Sequence, residues 1–133
     1  DFVDGDNDYS GNALTGVPNK QWNAGVDAKT ASGFIANASY LNVGSIPMND
    51  SGTKYSESYS LVNIKFGYSL TILKFLKTEI SSGINNLGNS KYAASILPNA
   101  VGFGKALPRY YYPGNPRNYY AGFSVSYIFS GLK

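Results

Sequence analysis

The chain contains neither cysteine nor histidine. Without cysteine there is no disulfide framework and no thiolate chemistry. Without histidine the commonest general base is missing, as are the usual zinc ligand and any Ser-His or Cys-His nucleophile pair. Charge is scarce as well: charged residues make up 14% of the sequence, against about 25% in an average soluble domain. No apolar run approaches the ~18 residues of a membrane helix. The longest, Leu70-Thr71-Ile72-Leu73-Lys74-Phe75-Leu76, is short and is broken by Lys74. A chain without such a run can be embedded in a bilayer only as a barrel, because alternate strand residues face lipid.

The 133 residues suffice for one domain with a sizeable core. Aromatics are 15%, twelve of them Tyr. The net charge of +3 is modest, and no nucleic-acid partner is expected from it. It hides an asymmetry: Asp1, Asp4, Asp6 and Asp8 crowd the start, while all eleven basic residues and the other four acids lie from Tyr9 onward. No signal peptide opens the chain, and the first residues have loop composition. The expectation is a fragment, or a mature chain whose front has been removed.

The strongest pattern is in residues 117–129. Tyr119, Ala121, Phe123, Val125, Tyr127 and Phe129 alternate with Tyr120, Gly122, Ser124, Ser126 and Ile128. Period-two alternation marks a strand with one apolar and one polar face. Residues 20–29 (Trp22, Ala24, Val26, Ala28), 34–43 (Phe34, Ala36, Ala38, Tyr40), 59–69 (Val62, Ile64, Phe66, Tyr68) and 77–87 (Ile80, Ser82, Ile84) repeat it. Residues 1–19, 44–58 and 88–116 read as loops, Ala31-Ser32-Gly33 as a tight turn. Residues 71–76 read either as a short helical turn or as a strand extension.

The connections thus alternate short and long, as the periplasmic turns and extracellular loops of an outer-membrane barrel do. If the last strand ends at the periplasm, the turns near 31–33 and 71–76 are periplasmic and the long loops outside. About eleven residues at ~3.3 Å, tilted by ~45°, span roughly 25 Å, the height of the apolar band. The expected fold is all-β, an antiparallel up-and-down transmembrane barrel segment. Trp22, Val62, Phe66, Tyr68, Phe123, Val125, Tyr127 and Phe129 should face the membrane lipid and lipopolysaccharide, with Trp22, Tyr40, Tyr68 and Tyr119 as interface anchors. Asp27 and Lys65 should face the lumen. The alternative is a soluble β-domain, a sandwich binding carbohydrate or protein through its Tyr-rich loop. Against it stand the small and aromatic residues of the outward faces, the lone charges amid Gly, Ser and Asn opposite, and the alternating loop lengths.

Four motifs occur in order: Gly11-Asn12-Ala13-Leu14-Thr15-Gly16-Val17-Pro18, Tyr59-Ser60-Leu61-Val62-Asn63-Ile64, Ile84-Asn85-Asn86-Leu87-Gly88-Asn89-Ser90-Lys91-Tyr92 and Tyr110-Tyr111-Tyr112-Pro113-Gly114-Asn115-Pro116-Arg117. With them nearly the whole chain resembles the C-terminal end of a TonB-dependent outer-membrane receptor. Residues 91–116 are most similar to ferric-siderophore or ferric-citrate receptors, particularly of Bacteroidetes. The resemblance implies the last five strands of a 22-stranded barrel, covering residues 1–133, in the bacterial outer membrane. It implies import of an iron chelate as substrate, with no cofactor. The partners it implies are the rest of the barrel, a plug domain absent from this sequence, and the TonB complex acting through that plug. The chain departs from the family pattern in two places. Asn86-Leu87-Gly88-Asn89 stands where Asn-Leu-Phe-Asp is usual, and Ser130-Gly131-Leu132-Lys133 follows Phe129 where the family ends on its terminal aromatic.

No catalytic constellation is visible, so no enzyme is expected. Arg109 could hold a carboxylate of an anionic chelate in two hydrogen bonds. Tyr110 supplies rigid amphipathic contact area, and Lys105 is a further ligand-binding candidate in the same loop. Tyr111 and Tyr112 read as girdle and loop packing, Asn85 and Asn86 as side chains that tie off a strand. Asp4-Gly5-Asp6-Asn7-Asp8 spaces carboxylates as calcium loops do, but it lacks the sixth-position Gly and has Thr15 where the bidentate Glu belongs. It reads as an exposed acidic tip.

Overall fold

Alternation of side chains translates into strands almost residue for residue. The fold is seen in a computed structural model that describes residues 2–72, 75–127 and 129. It is all-β. In chain order the strands are β1 (Val3–Asp4), β2 (Asn7–Asp8), β3 (Gln21–Lys29), β4 (Phe34–Val43), β5 (Tyr59–Ile72), β6 (Leu76–Asn85), β7 (Ala93–Ile96), β8 (Tyr111–Pro113) and β9 (Asn118–Tyr127). Five form one open sheet in the order β3-β4-β5-β6-β9, so β9 pairs with β6. The other four make two small pairs, β1-β2 and β7-β8. Ile128 and the tail at 130–133 lie outside the described residues, as do Leu73 and Lys74 of the 71–76 connection.

In an antiparallel ladder, directly paired residues point to the same face. The register of β5, β6 and β9 therefore sorts the central sheet into rows. Ile64–Ile84–Tyr119, Phe66–Ser82–Ala121, Tyr68–Ile80–Phe123, Leu70–Thr78–Val125 and Ile72–Leu76–Tyr127 share one face. Lys65–Gly83–Tyr120, Gly67–Ser81–Gly122, Ser69–Glu79–Ser124 and Thr71–Lys77–Ser126 share the other. β4 follows suit. The Phe34 ring meets Tyr68 at 5.0 Å on the apolar face. On the polar face Asn37 donates to Asp27 (2.7 Å), Asn63 to Ser39 (3.3 Å) and Lys65 to Glu79 (3.3 Å). β5 runs on to Ile72, so Thr71 and Ile72 extend the strand. β6 stops at Asn85, two residues before the sequence-based limit, because Asn86 turns to φ 52° and leaves the pleat.

Two glycines fix the sheet locally. Gly33 closes the β3–β4 turn at φ 100°, where its carbonyl accepts from the Ser69 amide (2.8 Å). Gly83 leaves room on the polar face for the ring of its cross-strand partner Tyr120, which a Cβ would overlap. An aromatic lying on a cross-strand glycine covers exposed backbone and pins the register.

Chain contacts divide the molecule into two units. The sheet unit comprises Asn23–Tyr40, Leu61–Asn89 and Arg117–Lys133; the loop unit comprises Asp1–Trp22, Leu41–Ser60 and Ser90–Pro116. The buried apolar side chains among the described residues, Val43, Ile46, Pro47, Met48 and Ala93, all belong to the loop unit. Asp50 is its polar hub. Its carboxylate accepts from Thr15 Oγ1 and Asn99 Nδ2, its amide donates to Asn99 Oδ1 (2.9 Å), and its carbonyl accepts from Asn12 Nδ2 (2.7 Å). Thr15 is thus a partner of Asp50 rather than a stand-in for a calcium-binding Glu.

Residues 1–19 and 88–116, read above as loop throughout, carry four short strands. The acidic tip is the β1-β2 hairpin. Its two-residue turn starts at Gly5 with φ 59°, the backbone that type II′ hairpins ask of a glycine. The Ser10 hydroxyl and amide (2.8 Å to Oδ1) both bind Asp8 and hold its carboxyl below the usual carboxylate range. Because the folded value is the lower one, the stabilisation is present above the ordinary carboxylate pKa and is lost as pH falls through the lowered value. Ser10→Ala should move the Asp8 carboxyl titration upward by NMR; an unchanged midpoint would show that Ser10 does not set it.

Candidate ligand cleft

The β7-β8 pair borders a largely apolar concavity of the loop unit. Tyr111 pairs with Ile96, Tyr112 with Ser95 and Pro113 with Ala93, with a bulge between Ala93 and Ser95. The ladder continues at both ends, through the Leu97 amide donating to the Tyr110 carbonyl (2.7 Å) and the Gly114 amide to the Tyr92 carbonyl (2.8 Å). Tyr92 packs over Gly114, where a Cβ would overlap its ring, and meets Tyr59 at 4.9 Å. Backbone bonds to 92–97 thus hold residues 110–114 along one edge, beyond the three residues of β8.

Beside this ladder opens a cleft of about 610 Å³, lined by Met48, Leu107, Pro108, Arg109, Tyr110, Tyr111 and Pro113. Met48 forms a buried wall, held by its amide donating to the Lys54 carbonyl (2.8 Å) and its carbonyl accepting from the Asn99 amide (3.0 Å). The structure therefore brings Arg109 and Tyr110 together in one concavity. It adds Tyr111, read from sequence as packing, and Met48, which sequence reasoning did not single out. Lys105 is not part of the lining. It sits on a turn closed by the Ala106 amide donating to the Phe103 carbonyl (3.1 Å), with Gly104 at φ 61°.

A second, polar cleft of about 490 Å³ is lined by Asn42, Glu57, Ser58, Tyr59, Ser60, Ser90 and Lys91. Asn42 donates to Ser60 (3.0 Å) within it. Of the two asparagines expected to tie off a strand, Asn85 donates to Asn118 Oδ1 (3.0 Å), and the Asn86 amide donates to Asn63 Oδ1 (2.9 Å). Among the described residues no three His, Cys, Asp or Glu side chains come together to hold a metal ion.

The residues expected to face lipid are distributed as follows. Trp22, Phe66, Tyr68, Phe123, Val125, Tyr127 and Phe129 are exposed, and Val62 is half-buried. Phe66, Tyr68, Phe123, Val125 and Tyr127 lie on the apolar face of the sheet. At the Tyr127 end of β9, Phe75, Tyr127 and Phe129 form a run of rings with centroids 5.2 and 4.7 Å apart. No protein-family model matches the chain.

Proposed function

We propose that this chain is a C-terminal stretch of the barrel of a TonB-dependent outer-membrane receptor, which imports an iron chelate of the siderophore or ferric-citrate type. The observation that carries the reading is the division of the sheet into two faces. One is mostly apolar and largely exposed, interrupted only by Ser82 and Thr78 in β6, with Tyr119 at one end and Tyr127 and Phe129 at the other. The opposite face holds Gly, Ser, Thr and the Lys65–Glu79 pair. Such a face is costly in water, because exposed apolar patches beyond a few hundred Å² drive association. In a bilayer it is the outside of a barrel, and the small polar face is its wet interior.

The neighbour-to-neighbour order of the sheet suits an up-and-down barrel, and its outer strands β3 and β9 leave edges that further strands would pair. The resemblance in the order of the Asn-Asn-Leu and Tyr-Pro-Gly-x-Pro-Arg motifs supports the transport family, and that of residues 91–116 the chelate class.

Growth under iron limitation tests the reading. Deleting the gene that encodes this chain in full should abolish growth on one ferric chelate as sole iron source. The intact gene should restore growth only while the TonB complex is functional. Undiminished growth on ferric citrate and on every siderophore tried, or rescue without TonB, would overturn it. The 133-residue chain expressed by itself should require detergent to stay soluble; a monodisperse monomer in water would favour a soluble β-domain.

A further inference from the structure

We propose that the Met48–Tyr111 cleft binds amphiphilic carboxylates, organic acids that carry an aromatic or alkyl body. The proposal does not depend on the transport reading, since it stands on the geometry of one unit.

Three polar groups in the cleft are uncommitted. Among the described residues, Arg109 has no ion-pair partner and the Tyr110 and Tyr111 hydroxyls have no hydrogen-bond partner. The rest of the lining is apolar: Met48, Leu107, two prolines and the faces of the two tyrosines. An apolar pocket with few convergent polar groups is the usual form of a small-molecule site. The polar groups set the ligand's charge. A guanidinium presents a planar fork of donors that matches a carboxylate, and phenol hydroxyls can add donors to its oxygens. The lining contains no acidic side chain, so nothing in it favours a cation.

The apolar groups set the ligand's body. Leu107 is 91% exposed although it lines the cleft, and Tyr111 is 45% exposed. A flat aromatic or an alkyl chain seated there would remove both from water, whereas a compact hydrophilic anion would not. The site is also built before any ligand arrives. Pro108 and Pro113 fix φ at two positions, the Leu97 amide holds the Tyr110 carbonyl, and Met48 is anchored at both its amide and its carbonyl. Rigid walls keep the ordering cost of binding low.

The test uses the whole chain in a non-ionic detergent at neutral pH. The probes are naphthoate and its uncharged analogue naphthylmethanol, followed by NMR of the tyrosine and arginine side chains. Naphthoate should bind saturably and perturb Arg109, Tyr110 and Tyr111, with naphthylmethanol at least about tenfold weaker, as expected of charge-assisted hydrogen bonds. Arg109→Gln should erase the difference between the probes, and Arg117→Gln, outside the cleft, should leave it intact. Tyr110→Phe keeps the ring and should weaken naphthoate alone, so it carries the test should Arg109→Gln disturb folding. Equal affinity for the two probes, or an unchanged preference in Arg109→Gln, would overturn the proposal. Loss of binding here would leave the iron-limited growth result untouched, so the two readings fail separately.

Discussion

If the sheet is the barrel wall proposed above, Ala121→Arg is expected to destabilise the protein in a lipid bilayer by about 2–4 kcal/mol, the cost of a lipid-facing arginine near the midplane. Ala121 lies near the middle of β9, in the row Phe66–Ser82–Ala121 on the apolar face. Replacing alanine removes little packing, so the loss reports the transfer of charge into hydrocarbon. Val125→Arg should cost less, because Val125 is one same-face position from Tyr127 and the ring cluster, and a long side chain there can reach the interface. Ser124→Arg, paired with Glu79 on the polar face, should stay within about 1 kcal/mol. Urea titrations of protein refolded into lipid vesicles would rank the three. Equal costs at 121 and 124 would refute the assignment of the faces.

Gly33→Val should be the other severe change, at about 2 kcal/mol or more. A side chain at φ 100° brings left-handed strain of about 1–2 kcal/mol. The added Cβ would also run into the Ser69 carbonyl oxygen, which is backbone and cannot swing aside. Relief requires moving the β3–β4 turn from β5, which breaks the hydrogen bond from the Ser69 amide to the Gly33 carbonyl. Gly122→Ala makes the control. Its Cβ would meet only Ser81 Oγ, at 3.5 Å, and it should cost about 0.5 kcal/mol or less. If the two variants unfold at the same urea concentration, the turn is looser than described.

What could be read from the sequence follows from how each element is stabilised. β4 begins at Phe34 and ends at Val43, as its alternation implies, and β3 and β9 differ from their sequence limits by one or two residues. These strands present one apolar and one polar face, so their composition alternates. β7 has no such need. Ala93-Ala94-Ser95-Ile96 shows no period, and its bulge shifts the register besides. β8 ends in Pro113, a residue that argues against a strand, and β1 and β2 have two residues each.

The loop-unit core was hidden for a different reason. Val43, Ile46 and Met48 share one short stretch interleaved with Gly, Ser, Pro and Asn, with no strand or helix period, and Ala93 joins them from a segment some way off in sequence. Arg109 and Tyr110 share the lining of one cleft, Met48 joins them only through the fold, and Lys105 sits on the 103–106 turn outside that lining.

The Asp50 hub also says something about how these loops can vary. Asn12, Thr15 and Asn99 all converge on this one residue, and Asn99 also holds Met48 through its amide. Three segments of chain therefore share a single clamp, and one jaw of the clamp is a wall of the cleft. An insertion between 15 and 18 or just after 99 would be felt as a change in the cleft's width, though neither stretch lines it. Tuning this cleft by loop exchange would mean moving the segments together, as one cassette.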